Sequence, residues 1–156
     1  LQPSNFFYSQ GETAVKAKEF KNGRIFMGRL AYDADLLEDI LNFAQEKKVK
    51  TAYFSALGAA KKVVLAYYQQ EAKAYQELTF DRHMEIVSCF GNITSKDGKP
   101  HIHAHGVFAD EQGQSLGGHI QPDTILFAGE IVLQELIGEE LEREHDPVTG
   151  LFLWKI

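Results

Sequence analysis

The 156-residue chain has a single cysteine, Cys89. That excludes an internal disulfide and fits a reducing compartment, so a cytoplasmic location is expected. No apolar run approaches the roughly 18 residues that a membrane-crossing helix needs. No signal-peptide pattern is present, and the chain begins at Leu1 without an initiator Met, as a trimmed or partial sequence would. Basic charge is also scarce: 16 Lys and Arg face 22 Asp and Glu, a net charge of -6. Without a basic stripe, direct binding to nucleic acid or to an anionic membrane surface is not expected. Gly91 and Gly98 lack the strand–Gly-x-Gly–helix setting of a phosphate loop. Ser55 and Ser88 lack the flanking glycines of a hydrolase nucleophile elbow.

What is present describes an ordinary globular protein, 44% hydrophobic and 24% charged. Residues 1–13 carry little periodicity and are expected to be disordered, leaving 14–156 as one domain. Ala14 to Phe20 and Arg24 to Tyr32 have strand character, with Asn22-Gly23 as a hairpin turn between them. One helix is predicted from Ala34 to Lys48, capped by Asp33 or Asp35, with Leu36, Leu37, Ile40, Phe43 and Ala44 on its apolar face. Lys47 and Lys48 suit its C-terminal dipole.

Strands then follow at Thr51–Leu57, Lys62–Gln69, Ala74–Phe80, Met84–Thr94, His101–Ala109, Ser115–Ile120 and Ile125–Leu136, separated by turn signals. Glu139 to Glu144 has the look of a solvated connection, and Leu151 to Ile156 that of a final strand or docked tail. One helix beside a meander of strands predicts an α+β class, with a mainly antiparallel sheet and the helix packed on it. Cys89, within Ile86–Phe90, is expected to be a small buried hydrophobe.

The chemistry concentrates in His101, His103, His105 and His119. Alternate residues of a strand point the same way, so the first three share a face. Neighbours on that face lie roughly 7 Å apart and the outer pair about 13–14 Å, too far for both to reach one ion. Folding Ser115–Ile120 back antiparallel places His119 opposite His103 if the loop is Asp110–Gln112, or opposite His105 if it is Glu111–Gly113. An even loop would need a bulge, which Gly117-Gly118 would tolerate. His103, His105 and His119 are therefore the expected ligands of a divalent metal ion, with His101 at the rim.

Three imidazoles leave a fourth position open, as in catalytic zinc sites. Zinc is the expected ion, and a small-molecule ligand would have room to approach. Glu85, on the preceding strand, is a candidate acceptor for a ligand N–H or a candidate general base, although a solvent-facing strand Glu is the commoner case. His83, His145, Arg24 and Arg29 read as surface residues. No catalytic residue is assigned.

Gly91-Asn92-Ile93, Lys99-Pro100 with His103-x-His105, and Gly117-Gly118-His119-Ile120 together resemble the prokaryotic branch of the plants-and-prokaryotes-conserved (PPC) domain family. The resemblance runs from about Phe20 to the C-terminus, through Gly28-Arg29-Leu30, Phe54–Ala59 and Thr149–Trp154. It implies a compact domain assembling as a homotrimer, with a metal-capable trio at His103, His105 and His119. The family is often labelled DNA-binding, because plant relatives carry an AT-hook. This chain has no Arg-Gly-Arg-Pro hook, and minor-groove binding of that kind needs exposed arginines. Two functional readings follow: a metal-binding domain with a small-molecule or hydrolytic site, and a non-enzymatic oligomeric module acting through partners.

Overall fold

A computed structural model of the chain describes residues 15–156; the expectation for residues 1–13, and Ala14, lie outside them. Among the described residues nine strands and one helix follow in the order β1 (Lys21–Leu30), α1 (Leu36–Glu46), β2 (Ala52–Gln69), β3 (Ala74–Phe80), β4 (Met84–Lys96), β5 (Lys99–Ala109), β6 (Ser115–Ile120), β7 (Ile125–Ile137), β8 (Glu142–His145) and β9 (Phe152–Trp154). The domain is α+β, with a sheet that is antiparallel except where β8 joins β4 in parallel. β2 pairs with both β4 and β6, and β5 joins those two, so β2, β4, β5 and β6 close a circuit.

Helix α1 starts where the Asp35 side chain accepts from the Leu37 and Glu38 N–H groups at 2.9 Å each. It is shorter than the sequence suggested. Lys47 is its C-cap and Lys48 turns left-handed at φ 57°, so neither lysine lies in the helix proper. Leu36, Leu37, Ile40 and Ala44 are buried against the sheet, and Phe43 meets Phe26 edge-on with centroids 5.4 Å apart.

The pairing register separates the two faces of the sheet. Phe26, Leu133, Phe54, Gly91 and Ala104 lie side by side on the inner face beneath the helix. One residue along each strand, Met27, Val132, Ser55, Phe90 and His105 form the matching row on the outer face, and His119 extends it. Hydrophobic burial fills the inner row: Phe54 and Leu133 are fully buried. The outer row keeps Met27 and Phe90 exposed.

Several expectations need correction. Residues 15–20 are not a strand, and Asn22-Gly23 is not a turn but part of β1, where the register with β7 shifts between Asn22 and Ile25. A Cβ at Gly23 would lie 2.8 Å from Glu135 Cγ, so the glycine makes room for a cross-strand carboxylate. The strands at 51–57 and 62–69 are one strand, β2. Bulges around residues 56–62 carry it from its β4 and β7 neighbours to β3 and β6. Gly58 makes the bend possible: its φ is +145°, and a Cβ there would stand 2.2 Å from the Ala128 carbonyl oxygen. Glu139 to Glu144 is not simply a solvated connection, because its end forms β8 and buries Arg143.

Candidate metal centre

Along β5 the core side is taken by Ala104, Gly106 and Phe108, all buried, which turns His103 and His105 to the outer face. Asp110 closes the β5–β6 hairpin: its N–H donates to the Gln114 carbonyl at 3.0 Å, and its carboxylate accepts from the Gln112 and Gln114 N–H groups. This is the Glu111–Gly113 loop, and it sets His119 opposite His105. No register shift occurs in that hairpin, so the parity comes from the loop and not from Gly117-Gly118.

His105 Nε2 lies 3.1 Å from His103 Nε2 and 3.3 Å from His119 Nδ1. One ligand nitrogen from each ring falls within 4.8 Å of the others. Four donors around zinc at about 2.0–2.1 Å stand about 3.3–3.4 Å apart in a tetrahedron, and the two separations made by His105 Nε2 fall close to that spacing. Hydrogen bonding within the trio does not satisfy it, since His105 Nε2 has one hydrogen or one lone pair for two facing nitrogens. A cation among the three would serve all of them.

Burial, with His119, Arg143, His105 and His101 nearby, pushes His103 down to about 4. Burial, with His105, His101 and Arg143, pushes His119 down to about 4 as well. Both rings are therefore neutral at pH 7, the form that binds metal. The Tyr75 ring packs on His119 with centroids 5.2 Å apart. Asn92 stands opposite His103 across β4 and β5.

His101 is half-buried opposite Thr94 and outside the convergent group; burial, then Arg143 and Lys96, holds it below its ordinary pKa. Glu85 is exposed and pairs with Ala109, about 13 Å along the strand from His105, so the structure does not bring it to the trio. His83 is exposed. Arg24 is more than a solvated charge, because its guanidinium grips the Glu135 carboxylate in a two-point pair, Nε to Oε2 and Nη2 to Oε1 at 2.7 Å each.

Arg143 is the residue that sequence reasoning missed. It is buried beside Asn92, and with His103 and His145 it lines an open cleft of about 630 Å³. Leu141 and Arg143 turn inward while Glu140 and Glu144 stay exposed, an alternation visible in burial but not in any apolar pattern of the sequence.

The family model of the Plants and Prokaryotes Conserved (PCC) domain matches residues 17–137. The chain belongs to that family. Its fold is similar to a metal-containing protein from Archaeoglobus fulgidus, with a TM-score of 0.87 and 39% identity, covering 91% of this chain and all of that one. It is also similar to a plant- and prokaryote-conserved protein from Pyrococcus horikoshii, with a TM-score of 0.85 and 34% identity, covering 91% of this chain and 98% of that one. A curated relative, the bifunctional protein GlmU of Synechococcus sp. (strain JA-3-3Ab), is 28% identical over 129 residues, or 81% of this chain. The chain spans about a fifth of the length of the curated relatives it matches. The trio lies inside the matched PCC residues, whereas β8 and β9, which supply Arg143 and Trp154 to the cleft, lie beyond them.

Proposed function

We propose that this PCC domain binds one divalent metal ion, zinc by its donor set, through His103, His105 and His119, and presents it to a small molecule. The approach of His105 Nε2 to His103 and His119, at 3.1 and 3.3 Å, carries the reading. The metal-containing neighbour from Archaeoglobus fulgidus supports it. Zinc held by the three imidazoles would keep one position open and would act there as a Lewis acid, which would suit a hydrolytic or binding site. The chain's own residues fix the geometry: the hairpin sets the His105–His119 register, and burial keeps His103 and His119 unprotonated. Zinc titrated into chelator-stripped protein should bind one ion per chain, and a His103→Ala/His119→Ala double variant should lose it. Equal binding by both overturns the proposal.

The assembly is proposed to be a homotrimer. The outer row, with Met27 82% and Phe90 65% exposed, offers an apolar face that a second copy would cover. Sedimentation equilibrium should return three times the chain mass, and a monomer would overturn this part. The same face also suits the second reading, a module acting through protein partners. Direct DNA binding is not proposed, given the net charge of -6. Affinity for duplex DNA at physiological salt, falling steeply as salt rises, would reverse that view.

A further inference from the structure

The cleft that shares His103 with the trio is built around Arg143, which is 8% exposed. Its Nε donates to Thr94 Oγ1 at 3.1 Å, Nη1 to the Phe152 carbonyl at 3.0 Å and Nη2 to Asn92 Oδ1 at 2.9 Å. The Trp154 ring lies 5.6 Å from the guanidinium carbon. All three acceptors are neutral. Among the described residues one N–H on each terminal nitrogen is left over, and no carboxylate forms an ion pair with Arg143.

A buried guanidinium without a counter-charge is strongly unfavourable unless something anionic completes it. The two side-chain carboxylates of the cleft are engaged elsewhere. Glu144 pairs with Lys155 at 3.3 Å, and Asp146 accepts from the Thr149 backbone N–H at 2.9 Å and its hydroxyl at 2.6 Å. Lys16 adds a second cation to the lining. Burial also lowers the pKa of Arg143, as expected for a charge short of compensation.

We propose that this cleft binds a small molecule through a carboxylate or phosphate group anchored on Arg143, with the rest of the molecule against Trp154 and facing His103. The inference deepens the metal-site reading and rests on it for the task of His103; the anchor itself stands on Arg143. A planar guanidinium with a free N–H on each terminal nitrogen suits an oxyanion with more than one oxygen.

Trp154 is the only tryptophan of the chain, so its emission reports on the cleft directly. Malonate, inorganic phosphate and uncharged malonamide would be titrated into the full chain, zinc-loaded and zinc-free. We expect saturable quenching or enhancement by malonate or phosphate and none by malonamide, with the stronger of the two anions naming the group. Arg143→Gln should weaken the response about tenfold or more while zinc uptake stays at the wild-type level. Should that variant fail to fold, the contrast between malonate and malonamide in the wild type decides alone. If neither anion outcompetes malonamide while zinc binds, the anchor is overturned and the metal reading stands. If zinc fails to bind while an anion still does, the metal reading falls and the Arg143 anchor stands.

Discussion

His105 on β5 stands directly opposite His119 on β6, and the two rings turn their nitrogens toward each other at 3.3 Å. This pair spans the hairpin, while His103 joins from the same strand as His105. The proposed ligand set therefore draws on one local pattern and one tertiary pairing. His101 shares the pattern but not the pairing. Zinc affinity should accordingly fall by more than about 100-fold in each of His103→Ala, His105→Ala and His119→Ala, a larger loss than removal of a supporting residue gives. His101→Ala should stay within a few-fold of wild type. Calorimetric zinc titrations of the four variants check this, and a His101→Ala loss equal to the others would contradict the geometry.

The outer-face periodicity of His101 to His105 and the helix Leu36–Glu46 were legible because each is a local repeat, of period two and of period 3.6. Local patterns could narrow His119 to two odd loop registers or a bulged even one, but not choose among them. The choice belongs to the backbone of the Asp110–Gln114 closure. The continuity of β2 was hidden for a related reason: small residues such as Gly58, Ala59 and Ala60 look like a break, yet here they permit a bulged strand to change partners. Arg143 was illegible in function because burial of an arginine depends on neighbours, Thr94, Asn92 and Phe152, that no window of sequence contains.

The Arg24 guanidinium, through side-chain hydrogen bonds first, holds the Glu135 carboxyl down from 4.5 to about 2. A carboxylate whose pKa is depressed by folding stabilises the folded state above its unfolded pKa. That contribution should be complete above pH about 4.5 and fade as pH falls toward 2. In Glu135→Gln, melting temperature should lose part of its acid dependence over that window and little of it near pH 7. A pH profile unchanged by the substitution would show that the pair adds nothing to stability.

Cys89 is 1% exposed, and burial pushes its thiol up to about 12 from an ordinary 9. That shift leaves about a thousandfold fewer thiolates at pH 8 than an open cysteine has, and access is blocked as well. Labelling by a disulfide reagent should follow unfolding of the domain, being negligible in the native protein and complete in denaturant. Rapid labelling under native conditions would place Cys89 in a mobile part of the sheet.

Gly91 ties the core to the proposed metal centre. It sits on β4 opposite Ala104, between His103 and His105, with the Phe54 ring beneath it. A Cβ at Gly91 would lie 2.3 Å from Phe54 Cζ and 2.6 Å from the His103 carbonyl oxygen. Phe54 has no room to retreat, being fully buried and paired across the sheet with Leu133. Gly91→Ala should therefore cost about 1–3 kcal/mol of stability through overpacking and push β5 away from β4. Because the displaced backbone carries His103, zinc affinity should drop along with stability. Gly98→Ala is the control: its Cβ would meet nothing within 4 Å, so only the strain of φ +69° applies, about 1 kcal/mol or slightly more. Zinc binding in that variant should match wild type. Denaturant melts and zinc titrations on both alanine variants separate the two effects. If Gly91→Ala loses stability yet keeps its zinc affinity, the trio tolerates movement of β5 and is held by the hairpin alone.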